Sequence, residues 1–191
     1  MTLTVPCLFG LEALVADEMK RLKLAGVRAE NGRVHCEGTW ADIARLNIGL
    51  RCGARVLMEL GSFPAPDFEA LFQGTASLPW EDFIPREGSF PVKGHALNSA
   101  LHAVPACQSI VKKAVAARLG AAYGLETLPE TGALHQIQFS IMKDEATLML
   151  DTSGAGLHKR GYRAVGVVAP LRETLAAAMV LLSRYRGKDP F

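Results

Sequence analysis

Basic residues form two clusters along this chain of 191 residues. The first comprises Lys93 and the adjacent pair Lys112 and Lys113. The second is the run Leu157-His158-Lys159-Arg160-Gly161-Tyr162-Arg163, in which an aromatic residue interrupts the cations. Lysine and arginine neutralise the phosphates of nucleic acids, and a tyrosine ring can stack on an unpaired base. The alternative for both clusters is a solvated face or a charged strand edge that keeps the protein soluble.

The residue pattern favours no metal site and no catalytic residue. A zinc site needs ligands in close pairs, and the cysteines are widely spaced without a CxxC pair. We therefore expect buried thiols. The five histidines are dispersed along the chain. Gly154-Ala155-Gly156 is too short for a glycine-rich nucleotide loop. The cysteines are Cys7, Cys36, Cys52 and Cys107.

The elements that position the first part of the chain follow the order β-α-β-β-α-β. Leu3 and Val5 alternate with polar residues, as in a strand with one buried face. An apolar stripe at helical spacing follows Gly10. Asn31-Gly32 predicts a tight hairpin turn. Thr39, with Asp42 in the capping-box position, predicts the start of a second helix, and a strand through residues 56–60 ends the unit. This order over residues 1–61 is that of a ferredoxin-like unit.

The later elements begin after a proline-rich, turn-like stretch at residues 62–66. Asp67 caps a short helix, and a strand runs through Phe90 and Val92. A helix opens at Pro105, because proline is favoured in a first turn. Its 100° spacing predicts that Lys112 and Lys113 face solvent, opposite the apolar side. A hairpin over residues 137–150 and a last amphipathic helix from residue 170 complete the prediction.

Composition is that of an ordinary soluble globular protein. Hydrophobic residues make up 49% and charged residues 21% of the chain. No apolar run has the length of a membrane span and no signal-peptide pattern begins the chain, so we expect a cytoplasmic protein without membrane contact. The net charge of +2 says little. From His158 to Phe191, however, seven Lys or Arg stand against two acids, which favours local attraction of phosphate.

The strand and helix around the first basic cluster closely resemble the THUMP module of bacterial methyltransferases that act on guanine N2 of structured RNA. The match comprises Phe90-Pro91-Val92-Lys93, Asn98-Ser99, Val104-Pro105 and residues 108–113. Residues 1–61 resemble the ferredoxin-like companion of that module. In THUMP modules this region forms part of the RNA-binding surface. The resemblance therefore implies RNA contacts by Lys93, Asn98, Ser99, Lys112 and Lys113.

The second basic cluster resembles the LHKRGYR segment that joins the THUMP module to the methyltransferase core of the same family. It implies an RNA-facing or domain-packing role for His158, Lys159, Arg160 and Arg163, and we leave both open. Residues 172–176 resemble the helix that precedes the cofactor loop, which would put Glu173 and Thr174 near the cofactor of a full-length enzyme.

The glycine-rich loop of the type DPxCGSGT, expected at or just after Asp189, is not within the 191 residues, and neither is an NPPY-like motif. The resemblance thus implies S-adenosylmethionine as the cofactor of a longer enzyme. We expect neither a bound cofactor nor methyl transfer in this chain alone.

The sequence therefore predicts an α+β protein. Its parts are a ferredoxin-like domain at residues 1–62, a THUMP α/β domain at 63–153, and a linker with the first helix of a truncated methyltransferase domain at 154–191. Its function would be to recruit structured rRNA or tRNA to an S-adenosylmethionine-dependent guanine-N2 methyltransferase. The exposed last helix predicts self-association. The alternatives are a non-catalytic interaction or structural domain without an RNA role, and a THUMP-bearing tRNA thiolation enzyme.

Overall fold

A computed structural model describes residues 1–161, 170–183 and 185 of the protein. The chain divides into two compact units. The first unit comprises residues 1–58 together with the described residues from Thr152 onward, and the second unit comprises residues 59–151. No helix in the described ranges is both long enough and apolar enough to cross a membrane.

The first unit has the predicted ferredoxin-like order of strands and helices. Its strands pair antiparallel in the order β2-β3-β1-β4, with β1 between β3 and β4. Leu3, Val5, Val34 and Leu46 are fully buried in its core. The elements are β1 Thr2–Pro6, α1 Glu12–Arg21, β2 Ala25–Glu30, β3 Arg33–Glu37, α2 Trp40–Gly49 and the start of β4 Leu57–Pro64.

Two local devices predicted from the sequence shape this unit. The Asn31-Gly32 turn joins β2 to β3, and Gly32 has a positive φ of 75°, which glycine adopts at no steric cost. At the start of α2, the Asp42 carboxylate accepts two hydrogen bonds from Thr39. The Thr39 amide lies at 3.0 Å and the Thr39 hydroxyl at 2.8 Å. The capping residue and the hairpin turn thus lie where the sequence predicted them.

The second unit is the α/β module that follows. Its elements after β4 are α3 Phe68–Ser77, a 3₁₀ turn Trp80–Asp82, β5 Val92–Leu97, α4 Val104–Tyr123, β6 Ile137–Met142 and β7 Glu145–Asp151. Strand β6 pairs parallel with β5 and antiparallel with β7. Pro105 lies in the first turn of α4 and Gly124 ends it with a φ of 63°. Trp80, Val111 and Phe139 are buried between the helices and the sheet.

Two boundaries differ from the sequence prediction. Strand β4 extends to Pro64, so the stretch predicted to be turn-like begins as a strand. The last helix, α5, spans Glu173–Leu182 and begins three residues after Pro170. Proline has no amide hydrogen and lies before the first helical turn here, where the backbone is still extended at Arg172.

Candidate nucleic-acid interface

Lys93 is exposed on β5, on the face of the sheet opposite the core. The residues of β5 alternate, so that Lys93, His95 and Leu97 share this outer face. The parallel register places Lys93 beside Gln138 and His95 beside Ser140, whose hydroxyl lies 3.0 Å from the His95 ring. The ammonium group of Lys93 therefore extends from a polar surface, as expected for a residue that contacts phosphate.

The two adjacent lysines of α4 differ in their surroundings, although the sequence predicted that both face solvent. The Lys112 ammonium lies 2.5 Å from a Glu130 carboxylate oxygen and 3.9 Å from the centre of the Phe90 ring. Lys113 is exposed, and its ammonium lies 5.9 Å from the centre of the Phe72 ring. Lys113 is thus available to a phosphate, whereas the charge of Lys112 is already neutralised within the protein.

Asn98 and Ser99 form the connection that follows β5. Asn98 is exposed and has a left-handed φ of 50°, a conformation that asparagine tolerates better than most residues. The Ser99 hydroxyl donates to the Leu97 carbonyl at 3.0 Å and accepts the Asp144 amide at 3.1 Å. Asp144 in turn accepts the Ala100 amide at 2.7 Å. Ser99 therefore fastens this connection to the β6–β7 turn.

In the described part of the basic run 157–163, Arg160 is hydrogen-bonded within the protein and Lys159 is exposed. The Arg160 guanidinium donates to the carbonyls of Ile48, Leu50 and Leu157. Ile48 and Leu50 lie at the carboxyl end of α2, where the helix dipole favours a positive charge. Lys159 is exposed and His158 is half-buried. The remaining predicted contact in this run, Arg163, lies outside the described residues.

The sequence charges of the two units have opposite sign. Residues 59–151 contain six Lys or Arg and eleven Asp or Glu, a net charge of −5. Residues 1–58 and 152–191 contain fifteen Lys or Arg and eight Asp or Glu, a net charge of +7. Bulk attraction of a polyanion therefore comes from the first unit, and the second unit must rely on individual exposed cations such as Lys93 and Lys113.

The start of α5 lines a cleft of about 480 Å³ in the first unit, with His158, Lys159, Arg172 and Glu173 among its lining residues. The Thr174 side chain is buried. S-adenosylmethionine carries a positive sulfonium, and the cleft presents two permanent cations and a histidine to one carboxylate. The described residues around Glu173 and Thr174 do not by themselves fit this cofactor, and we derive no chemical step from them.

The cysteines have the properties of structural thiols. Burial raises the pKa of Cys52 to about 12, with a further rise from the nearby Glu18 carboxylate. Burial likewise raises the pKa of Cys7 and of Cys36 to about 11. A thiol with such a pKa is a poor nucleophile because it stays protonated near neutral pH. Among the described residues no three His, Cys, Asp or Glu side chains are grouped to hold a metal ion.

Two charged contacts of the second unit were missed by the sequence analysis. The Arg118 guanidinium donates from Nε and Nη2 to the Glu81 carboxylate. Glu130, the partner of Lys112, lies in an irregular segment with no periodicity to place it. The sequence offers one indication of the Arg118 contact. Arg118 falls among the apolar positions of α4, where a long cationic side chain requires a polar partner.

Comparison with known proteins assigns both units. Residues 2–57 match the RlmL ferredoxin-like domain and residues 65–151 match the THUMP domain. The chain therefore contains a ferredoxin-like domain of the RlmL type and a THUMP domain, and it is similar to proteins named as RNA methyltransferases. It is 42% identical over its whole length to the putative RNA methyltransferase YpsC of Bacillus subtilis, and it spans 50% of that protein's length.

Two solved structures are also similar to the chain. A protein of Listeria monocytogenes described as a predicted N6-adenine-specific DNA methylase is 48% identical, with a TM-score of 0.90 over 96% of this chain and 48% of that one. SMU.472, a putative methyltransferase complexed with SAH, is 40% identical, with a TM-score of 0.91 over 100% of this chain and 50% of that one. This THUMP chain thus spans about half the length of the relatives it matches.

Proposed function

We propose that this THUMP chain is the part of an S-adenosylmethionine-dependent RNA methyltransferase that recruits the substrate RNA. The observation that carries the proposal is the pairing, in one chain, of the RlmL ferredoxin-like domain with a THUMP domain. The 42% identity to a putative RNA methyltransferase supports the reaction class, and the SAH bound to SMU.472 supports the cofactor of the whole enzyme.

The substrate we propose is guanosine N2 in rRNA or tRNA, modified in the cytoplasm. The THUMP chain would hold the fold of the RNA and present one unstacked guanine to the methyl donor. Folded RNA is recognised largely through shape, 2′-hydroxyl and phosphate contacts, so cations on a rigid surface suffice for this task. The exposed lysines Lys93, Lys113 and Lys159 are the contacts we assign to phosphates.

A binding titration tests the recruiting role. The 191-residue chain is titrated into a fluorescently labelled tRNA transcript and into a labelled rRNA stem-loop at several salt concentrations. We expect binding to both that weakens as salt rises, because each neutralised phosphate releases counterions. Lys113→Ala should flatten the salt slope by about one unit. Lys20→Ala is the matched control, since Lys20 is an exposed helix lysine outside the proposed contacts.

Absence of salt-dependent RNA binding by the wild-type chain would contradict the proposal. It would favour a THUMP-like interaction domain without an RNA role. The modified base is tested separately with the full-length enzyme, by digesting methylated RNA to nucleosides and identifying the product by mass spectrometry. We expect N2-methylguanosine, and a methyladenosine product would refute the assigned base.

A further inference from the structure

The outer face of α2 carries an apolar stripe that the core does not use. Trp40 is 63% exposed and Ile48 is 78% exposed, and Ala44 lies between them on the same face. The spacing of four residues aligns these side chains along the helix. Leu46 is fully buried on the opposite side of the helix, and Ile43 is buried at the border between the two sides. The helix therefore exposes apolar side chains on one side and buries Leu46 on the other.

This stripe forms one wall of a groove within the first unit. The other wall is the segment 152–160, and the groove has a volume of about 580 Å³. Its charged lining residues are Lys159 and Arg160, and none of its described lining residues is acidic. Arg160 is engaged by the end of α2, so Lys159 provides the accessible charge at this groove.

Hydrogen bonds fix the two walls to each other. The Asn47 side-chain amide donates to the Thr152 hydroxyl at 3.2 Å, and its carbonyl accepts the Ser153 hydroxyl at 2.7 Å. The Thr152 hydroxyl also donates to the Val56 carbonyl at 2.8 Å. Arg160 adds its contacts with the last carbonyls of α2. A ligand that enters this groove therefore meets a wall that is already ordered, which lowers the cost of binding.

The cationic charge continues beyond the groove. Lys159 also lines the neighbouring cleft, together with His158, Arg172 and Glu173, so that two permanent cations face one carboxylate there. An exposed aromatic ring beside cations suits single-stranded nucleic acid, because bases stack on the ring while the backbone phosphates contact the positive charge. The net charge of +7 on this part of the sequence is complementary to that partner.

We propose that this groove binds an unpaired segment of the RNA substrate, with one base stacked on Trp40 and an adjacent phosphate on Lys159. The inference rests on the proposed RNA-recruiting function and adds a second contact surface, on the ferredoxin-like unit. Among the described lining residues, the side-chain donors of Asn47, Thr152 and Ser153 are already used within the wall. The groove therefore takes unpaired RNA with little preference for base identity.

Tryptophan fluorescence tests the proposal directly. The chain contains two tryptophans, and Trp80 is fully buried with its indole N–H 2.7 Å from the Thr75 carbonyl. Quenching by an added oligonucleotide thus reports on Trp40. The probe is an oligouridylate of about eight nucleotides, a length that one binding module covers. We expect quenching that saturates and that is reversed by salt, with a slope that falls by about 0.7 in Lys159→Ala.

The variants separate stacking from simple contact area. Trp40→Leu should weaken oligouridylate binding about tenfold, the effect of losing one base–aromatic stack, whereas Trp40→Phe should retain most of the affinity. Binding to these two variants is measured with fluorescently labelled RNA, because both lack the Trp40 indole. Phe9→Leu is the control, because Phe9 is an 81% exposed aromatic residue of the same unit that does not line the groove.

Three results would overturn the inference, and they differ from failure of the proposed function. If folded RNA binds the wild-type chain but Trp40 is not quenched, the RNA lies elsewhere and only this inference is wrong. If Trp40→Leu binds like the wild type, stacking is absent. If Trp40→Leu instead abolishes a concentration-dependent dimer in sedimentation velocity, the groove is a contact between copies of the chain. Absence of all RNA binding would refute the proposed function as well.

Discussion

Replacing Lys112 with alanine is expected to destabilise the second unit, whereas replacing its neighbour Lys113 is not. The Lys112 side chain is 37% exposed, and its ammonium makes an ion pair with Glu130 and a cation–π contact with Phe90. Pairs at this exposure contribute about 0.2–1 kcal/mol, and a partly exposed cation–π contact about 0.5–1 kcal/mol. Because both share one ammonium group and are screened by water, we expect a combined loss of about 1 kcal/mol.

The loss is measured by urea unfolding followed through Trp80, which is buried in the second unit. The background is Trp40→Phe, so that Trp80 is the only indole. With a denaturant slope of about 2 kcal/mol per molar, a loss of 1 kcal/mol lowers the midpoint by about 0.5 M. Lys113→Ala should stay within about 0.5 kcal/mol of the parent, as surface substitutions usually do.

RNA affinity should fall more in Lys113→Ala than in Lys112→Ala, the reverse of their effects on stability. Lys113→Ala removes an available charge and flattens the salt slope, while Lys112→Ala removes a charge that Glu130 already neutralises. Glu130→Gln should strengthen RNA binding, since it releases the Lys112 ammonium. Equal unfolding midpoints for Lys112→Ala and Lys113→Ala, together with equal losses of RNA affinity, would refute this reasoning and make both lysines simple phosphate contacts.

Three further predictions follow from contacts described above. Arg160→Ala should lower the free energy of unfolding of the first unit by about 1–2 kcal/mol in urea, because the last carbonyls of α2 lose a charged donor. A variant as stable as the wild type would show that Arg160 does not stabilise the end of α2. The hydrogen bond from Arg118 lowers the pKa of Glu81 below its ordinary value of 4.5. This stabilisation is therefore complete above pH 4.5 and lost as the pH falls through the folded-state pKa, so Arg118→Met should flatten the acid side of the stability profile. Met179 and Leu182 on α5 are 56% and 62% exposed, and replacing both with Glu should reduce self-association in sedimentation velocity, whereas equal profiles would exclude α5 as the contact.

Local signals accounted for most of the fold. The Asn31-Gly32 turn, the Thr39 cap and the apolar periodicities act between residues close in sequence, so a reader of the sequence can place the strands and helices they define. Strand β4 was the exception, because Pro64 suggested a turn. Proline is tolerated at a strand end, where its missing amide hydrogen breaks no ladder bond in mid-strand.

The candidate site was only partly predictable, for a physical reason. Cationic residues can be located in the sequence, but whether each one is paired with a carboxylate or a carbonyl in the folded protein cannot be read from it. Lys112 meets Glu130, which is 18 residues away, and Arg160 meets the Leu50 carbonyl, which is 110 residues away. Such partners are brought together only by the tertiary fold. The α2 groove was missed because its stripe at positions 40, 44 and 48 looks like a second core face until burial is known.

The mixed pairing of β6 has a consequence for the order in which the second unit forms. The β6–β7 hairpin closes through the two-residue turn Lys143-Asp144, whose residues both have positive φ, and such hairpins form within microseconds. Strand β5 must instead cross back through α4 before it can pair parallel with β6. Contacts between residues distant in sequence form late and at a higher entropic cost. We therefore expect the strand that carries Lys93 to dock late, and we expect thermal opening of this unit to begin at β5, where amide hydrogen exchange would be fastest.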